Sequence, residues 1–334
     1  MGTESDPTQT SQSGFFDSFW RALESKGWES VILHSWGNLP HKIESDVDYA
    51  VAGCCPNDLL RFLSLFCRNS GWRLVQVIEH EPSAFFCVCV ECGGDFQRLA
   101  LDVTWDYRRL GHLMLKSKDL MEGRRRVVGK SFHVPVPGVE ASYILAKAAA
   151  KRKEFSDVSP RLRELLDEDS PGVRETLHRL LGCPSLPDGS IANTLLELET
   201  WFLQSPIFRR VRSSRRLGSG ELSLYLRRSI HPTGIWLAIE GHPDSRATEQ
   251  IIAPLLPLFR RTHYTNHVSA HGIPGILAHV IRTSLVIESQ ARRLPVPTQW
   301  RLPISGNLIE RGHETTRRLI EQLATRVDHR LSIR

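Results

Sequence analysis

The chain has 334 residues, 41% hydrophobic and 24% charged, with 43 basic against 37 acidic side chains for a net charge of +6. That composition describes a folded globular chain and excludes collagen-like, mostly disordered and membrane-spanning classes, since no apolar run approaches the roughly 20 residues of a bilayer crossing. The length suits two domains of ordinary size. The charge excess favours anionic ligands without demanding nucleic acid.

Residues 1–13 are polar and rich in Ser and Thr, without the basic and then apolar regions of a secretory signal, and read as a disordered tail of a cytoplasmic protein. The seven cysteines are then expected as free thiols. Apolar residues at helical spacing from Phe15 to Leu23, stopped by Gly27, predict a first helix. A strand at Ser30–His34 follows, then a loop, then a second strand at Asp46–Ala52. Pro56–Asn69 reads as an amphipathic helix with Pro in its first turn, and Trp72–Glu79 as a third strand. Ala84–Glu91 and Gln97–Thr104 alternate as a hairpin around Gly93-Gly94, which makes Cys87, Cys89 and Cys92 strand residues and not zinc ligands. A short strand at Phe132–Val136 is expected to close this mixed sheet.

Beyond Pro137 the pattern turns helical, at about 138–153, 160–168, 171–182, 190–203 and 219–229. A strand at Gly234–Glu240, a turn at Gly241–Ser245 and a helix over 246–259 then follow the order of a β-loop-α nucleotide-binding unit. An amphipathic helix over about 311–328 ends the chain. The fold class is therefore α+β: a mixed-sheet domain over 14–136, a helical connector over 137–231 and a small α/β domain over 232–334.

Chemistry concentrates in the first of these. Residues i and i+2 of a strand project from one face, so Asp46 and Asp48 aim two carboxylates together. Asp102 is the lone acid in the apolar run Leu99–Thr104, where an unpaired carboxylate is costly to bury. If that strand lies beside the first, three hard-oxygen donors converge on a site suited to Mg²⁺, with two ions the expected number and an NTP as substrate. Lys147 and Lys151, at i and i+4 of a predicted helix, share a face that can approach a triphosphate; an exposed basic helix end is the simpler alternative.

The order strand, Ser35-containing loop, Asp46-Val-Asp48, helix, and Asp102 on a later strand resembles the nucleotidyltransferase superfamily that includes DNA polymerase beta. The resemblance implies Asp46, Asp48 and Asp102 as metal ligands and catalytic residues, and Ser35 as a contact to nucleotide phosphate. His34 stands where that family has Gly, and could itself donate to phosphate or serve structure. The segments 32–51 and 101–106 look like bacterial two-part proteins of polysaccharide or peptide-modification gene clusters, in which a thymidylate-kinase-like P-loop domain follows. The corresponding loop here, Gly241-His-Pro-Asp-Ser-Arg-Ala-Thr248, is degenerate: it keeps Gly241 and the hydroxyl of Thr248, but Arg246 stands in the lysine position, and all eight lysines lie at or before Lys153. A planar guanidinium does not replace a compact ammonium there, so kinase chemistry is not expected.

The resulting expectation is a Mg²⁺-dependent nucleotidyl transfer from an NTP to a hydroxyl or phosphate acceptor. The alternatives are a non-catalytic nucleotide-binding or scaffold protein with an inactive kinase-like half, and a small-molecule or nucleotide kinase. The arginines at 124–126, 209–212 and 215–216 are read as solvated surface, with nucleic acid not favoured. His263, His267 and His271 would stack only on a helix that their β-branched neighbours oppose.

Overall fold

The structure is a computed structural model that describes residues 11–93, 96–109, 111–186, 190–213, 235–240, 253–259, 261–265, 284–289, 299–303 and 308–333. The first helix, α1 (Gln12–Ser25), is capped by Ser11, whose hydroxyl accepts from the Gly14 amide, so it begins inside the segment expected as tail. Strands β1 (Glu29–Ile32), β2 (Val47–Ala52), β3 (Trp72–Glu81), β4 (Ala84–Glu91) and β5 (Arg98–Thr104) form one sheet of order β1-β2-β5-β4-β3, and α2 (Pro56–Asn69) connects β2 to β3. β2 and β5 run parallel, and the other neighbours are antiparallel.

The pleat explains why these sequences choose this sheet. One face carries Val47, Tyr49, Val51, Cys87, Cys89, Leu99, Leu101 and Val103, which pack with Phe15, Phe16, Phe19 and Trp20 of α1 and Leu59, Leu60 and Leu63 of α2. The opposite face is split. Val31, Leu33 and Ala50 pack under the later helices, whereas Val75, Val88 and Val90 pack under residues from the end of the chain. Between these two coverings the sheet face is left for polar side chains.

Two small ribbons follow: β6 (Tyr107–Arg109) with β7 (His112–Leu115), and, after the short helix α3 (Ser117–Met121), β8 (Arg125–Arg126) with β9 (His133–Val134). The expected closing strand thus pairs with β8 and leaves the main sheet at five strands, because its length is two residues. Arg124, Arg125 and Arg126 pair with Glu29, Glu168 and Glu24, so this basic triplet is held by the protein's own acids.

The helical section comprises α4 (Pro137–Lys151), α5 (Ser159–Leu181), α6 (Ile191–Gln204) and α7 (Pro206–Ser213), the last not anticipated. The two segments expected over 160–182 form one helix broken at Asp169 (φ −152, ψ 75), just before Pro171, whose ring opposes a helical residue ahead of it. α4 and α5 touch closely at Gly138: a Cβ there would lie 2.5 Å from the Thr176 hydroxyl, so only glycine fits.

Near the end, β10 (Ile235–Glu240), β11 (Arg261–Thr265), β12 (Ser284–Ser289) and β13 (Gln299–Pro303) form a second, parallel sheet of order β11-β12-β10-β13. The helix expected over 246–259 is absent from its described part: residues 253–259 form a turn and a 3₁₀ turn at Leu256–Leu258, where Pro254 and Pro257 break the amide ladder. His263 lies on β11, in line with the strand preference of its neighbours; His267, His271 and the expected helix over 219–229 lie outside the described residues. The last helix, α8 (Leu308–Ile333), packs back on the first sheet. Arg73 of β3 pairs with Glu321 at 2.9 Å, Ser64 of α2 donates to Asp328, and Val327 and Leu331 join the aromatic core. Among the described residues, no helix is long and apolar enough to cross a membrane.

Candidate metal and nucleotide site

The gap between the two coverings of the sheet holds the carboxylates. The parallel ladder sets Asp48 directly opposite Asp102, and Asp46 precedes β2 on the same side. One carboxylate oxygen from each of Asp46, Asp48 and Asp102 lies within 4.8 Å of the others. Such a spacing of acids is strongly unfavourable without cations between them.

Asp48 is the buried member and is enclosed by donors. Its Oδ2 lies 2.9 Å from His34 Nε2, and its Oδ1 accepts from Lys147 Nζ at 2.7 Å and from the Tyr143 hydroxyl at 3.0 Å. Burial alone would raise its pKa, but the His34 hydrogen bond and the Lys147 charge outweigh that and hold it well below the usual carboxylate range. Asp102 uses one oxygen on His80 Nε2 at 2.7 Å.

His80 reaches Asp102 by the ordinary alternation of β3: Ile78 pairs with Phe86, itself the partner of Asp102, and His80 stands two residues further along the same face, beside a register shift between Glu79 and Glu81. What periodicity within Trp72–Glu81 does not give is the strand order that sets β4 between β3 and β5, so that His80 and Asp102 meet across it. Tyr143 carried a fainter signal, since it stands four residues before Lys147 and eight before Lys151 along one helix face.

A cavity of about 510 Å³ opens beside Asp46 and Asp48, within the size range of small-molecule sites. Its lining includes His34, Ser35 and Trp36 of the loop after β1 and the basic side chains of Lys147, Lys151, Lys153 and Arg161. Ser35 adopts φ 56 and its hydroxyl lies 2.6 Å from His34 Nδ1, so the loop turns sharply just after the histidine that contacts Asp48. Glu140, fully buried on α4, accepts the Trp36 indole N–H at 3.1 Å and two hydrogen bonds from Arg161, whose guanidinium lies 5.6 Å from the Trp36 ring. Burial and the neighbouring Lys147 charge both lower the pKa of Lys151, the mark of two ammonium groups turned into one cavity.

The donor set fits a divalent hard cation: three converging carboxylates, of which Asp46 lines the cavity and, with the second oxygen of Asp102, has no ion-pair partner among the described residues. The cysteines are separate from it. Cys87 and Cys89 are buried under the aromatic core, burial pushes the Cys54 thiol up to about 12, and all seven are free thiols.

The fold thus gathers Asp46, Asp48, Asp102, His34, Ser35, Lys147 and Lys151 into one place. Gly241, Arg246 and Thr248 lie outside the described residues. His80, Tyr143, Trp36, Glu140 and Arg161 are the site residues that sequence reasoning missed. No protein-family model matches the chain, and neither a curated protein nor a solved structure does.

Proposed function

We propose that the protein is a Mg²⁺-dependent nucleotidyltransferase that moves a nucleotidyl group from an NTP to a hydroxyl or phosphate acceptor. The observation that carries this reading is the convergence of three carboxylates beside a cavity lined by Lys147, Lys151, Lys153 and Arg161. A triphosphate needs both: carboxylates to hold Mg²⁺, and ammonium groups to take the remaining charge. Asp46, Asp48 and Asp102 would hold the metal, which supplies Lewis-acid polarisation of the phosphates and a lowered pKa for the attacking oxygen.

The chain's own groups do the rest. Lys147 and Lys151 neutralise the triphosphate, Ser35 donates its hydroxyl to a phosphate oxygen, and Trp36, fixed by Glu140, offers a flat face for the base. Asp102 accepts the acceptor's proton, with His80 holding its other oxygen. A bond forms between the acceptor oxygen and the α-phosphorus, the α–β bridging bond breaks, and pyrophosphate leaves with that bond's electron pair. The central place of β10 in a parallel sheet, leading directly into Gly241, supports descent of the C-terminal part from a P-loop domain.

Calorimetric titration of Mg²⁺-NTPs into the wild type and an Asp46→Ala/Asp48→Ala double variant tests the reading, with circular dichroism to check folding. Binding is expected to weaken by more than about 100-fold in the folded variant, as loss of the metal ligands removes several charge-assisted contacts. Equal binding by both proteins overturns it. One observation favours a second reading, nucleotide binding without turnover: Asp48 is already saturated by His34, Lys147 and Tyr143. Binding with no pyrophosphate release across a broad acceptor panel would select that alternative.

A further inference from the structure

Asp46 and Ser45 belong to the linings of two cavities, not one. The second, a space of about 560 Å³, has none of the lysines in its lining. Its floor is the acid-bearing face of the first sheet: Ala100 stands two residues before Asp102 on β5, and Phe86 is the cross-strand partner of Asp102 on β4. Its roof comes from far along the chain, as Pro257 and Phe259. That segment is anchored twice. Leu255, Leu258 and Phe259 pack with Val88 and Val90 of β4 and Ile320 of α8, and Arg98 Nη1 donates to the Pro257 carbonyl at 2.8 Å.

Arg98 carries the chemical information. One of its five donors is spent on that carbonyl, and among the described residues no carboxylate pairs with it. Glu44, the other acid on this rim besides Asp46, pairs with Lys42. A guanidinium with open donors at a cavity edge matches a phosphate or carboxylate in a bidentate manner. The remaining surface, Phe86, Phe259 and the small Ala100 beside the amide of Gln97, suits a ring with one apolar face and hydroxyls at its edge.

We infer that this second cavity receives the acceptor, a hydroxylated molecule bearing a phosphate or carboxylate that Arg98 holds, and that the Pro257–Phe259 segment completes its binding site. The inference rests on the nucleotidyltransferase reading, for it places the acceptor across Asp46 from the nucleotide. It also gives the C-terminal part a role independent of its degenerate phosphate loop. The acceptor hydroxyl is then presented to Asp102 from the Ala100 side, while the triphosphate approaches from the Lys147 side.

The test titrates three probes, ribose 5-phosphate, ribonate and ribose, into the full chain holding Mg²⁺ and a non-hydrolysable ATP analogue. The same titrations are run on Arg98→Ala, an exposed position, and on Ala100→Leu, which fills the floor. At least one anionic probe is expected to bind the wild type about tenfold more tightly than ribose and to lose about tenfold in each variant. Binding of Mg²⁺-analogue itself should stay within about twofold in both variants. The probe that binds separates phosphate from carboxylate recognition. Ribose binding as well as both anions, no probe binding, or an unchanged Arg98→Ala protein overturns the inference. Failure of the nucleotidyltransferase reading shows separately, as absence of Mg²⁺-analogue binding to the wild type.

Discussion

His34 Nε2 lies 2.9 Å from Asp48 Oδ2 and 2.7 Å from Lys147 Nζ. One ring nitrogen cannot donate to a carboxylate and accept from an ammonium at once, so one of these approaches is unmatched. The assignment consistent with the rest of the site has Nε2–H donating to Asp48, while Lys147 is held by the other carboxylate oxygen at 2.7 Å. Lys147 therefore stands where a cation is wanted and competes with metal for Asp48. In Lys147→Ala, Mg²⁺ alone should bind more tightly, by about tenfold, because the competing charge is gone, whereas Mg²⁺-NTP should bind about tenfold less tightly, because a phosphate partner is gone. Calorimetry with and without nucleotide reads both, and a change of the same sign in the two titrations would contradict this role. At this scale the sequence was informative in part: spacing put Asp46 with Asp48 and Lys147 with Lys151, but only the fold brings the two pairs together. It said nothing of Glu140, whose fully buried carboxylate is intelligible only once Arg161 and the Trp36 indole are seen around it.

Two features of the strands make the site. The parallel β2–β5 ladder sets Asp48 beside Asp102, and a slip of one residue would turn Asp102 into the aromatic core. His80, two residues beyond Ile78 on the same face of β3, then reaches Asp102 across β4 from a strand that is not its neighbour in the sheet order. His80 is a positioning residue: at 2.7 Å it fixes which oxygen of Asp102 remains free. Outer-sphere partners of this kind are typically worth about 10–100-fold in activity. His80→Ala should therefore lower kcat by about that range with the KM for NTP little changed, and His80→Gln, which can still donate, should recover part of it. A loss in His80→Ala confined to KM, with no recovery in the glutamine variant, would assign His80 a different role. The alternation of β4 and β5 was readable from sequence because each strand has one wholly apolar face; the meeting of His80 with Asp102 was not, because it depends on the strand order that sets β4 between β3 and β5, not on a pattern within β3.

Over the whole molecule, α8 ties the end of the chain to the first sheet. Its Ile320 is fully buried against Val88, Val90 and Leu237, and Glu321 pairs with Arg73. Ile320→Ala should cost about 2–5 kcal/mol, as expected for a buried truncation, whereas Leu196→Ala on an exposed face of α6 should stay within about 0.5 kcal/mol. Urea denaturation followed by circular dichroism measures both. Equal midpoints would mean that the packing of α8 on β3 and β4 contributes little to the fold. If the packing holds as described, the Ile320 variant should also weaken acceptor probes, since Leu258 and Phe259 share that cluster with Ile320.

The sequence by itself determined the first two helices, the five strands of the first sheet and the three aspartates as candidates, because these follow from local periodicity and from the cost of burying an unpaired acid; the small ribbons β6–β7 and β8–β9 and the helix α3 were not legible in it. Only the tertiary structure decided that the sheet face between two hydrophobic coverings stays open around those acids, that the strand order lets His80 reach Asp102 across β4, and that α8 and the Pro257–Phe259 segment return to the first sheet. These depend on strand register and on contacts between residues as far apart as Arg73 and Glu321, which no local pattern encodes.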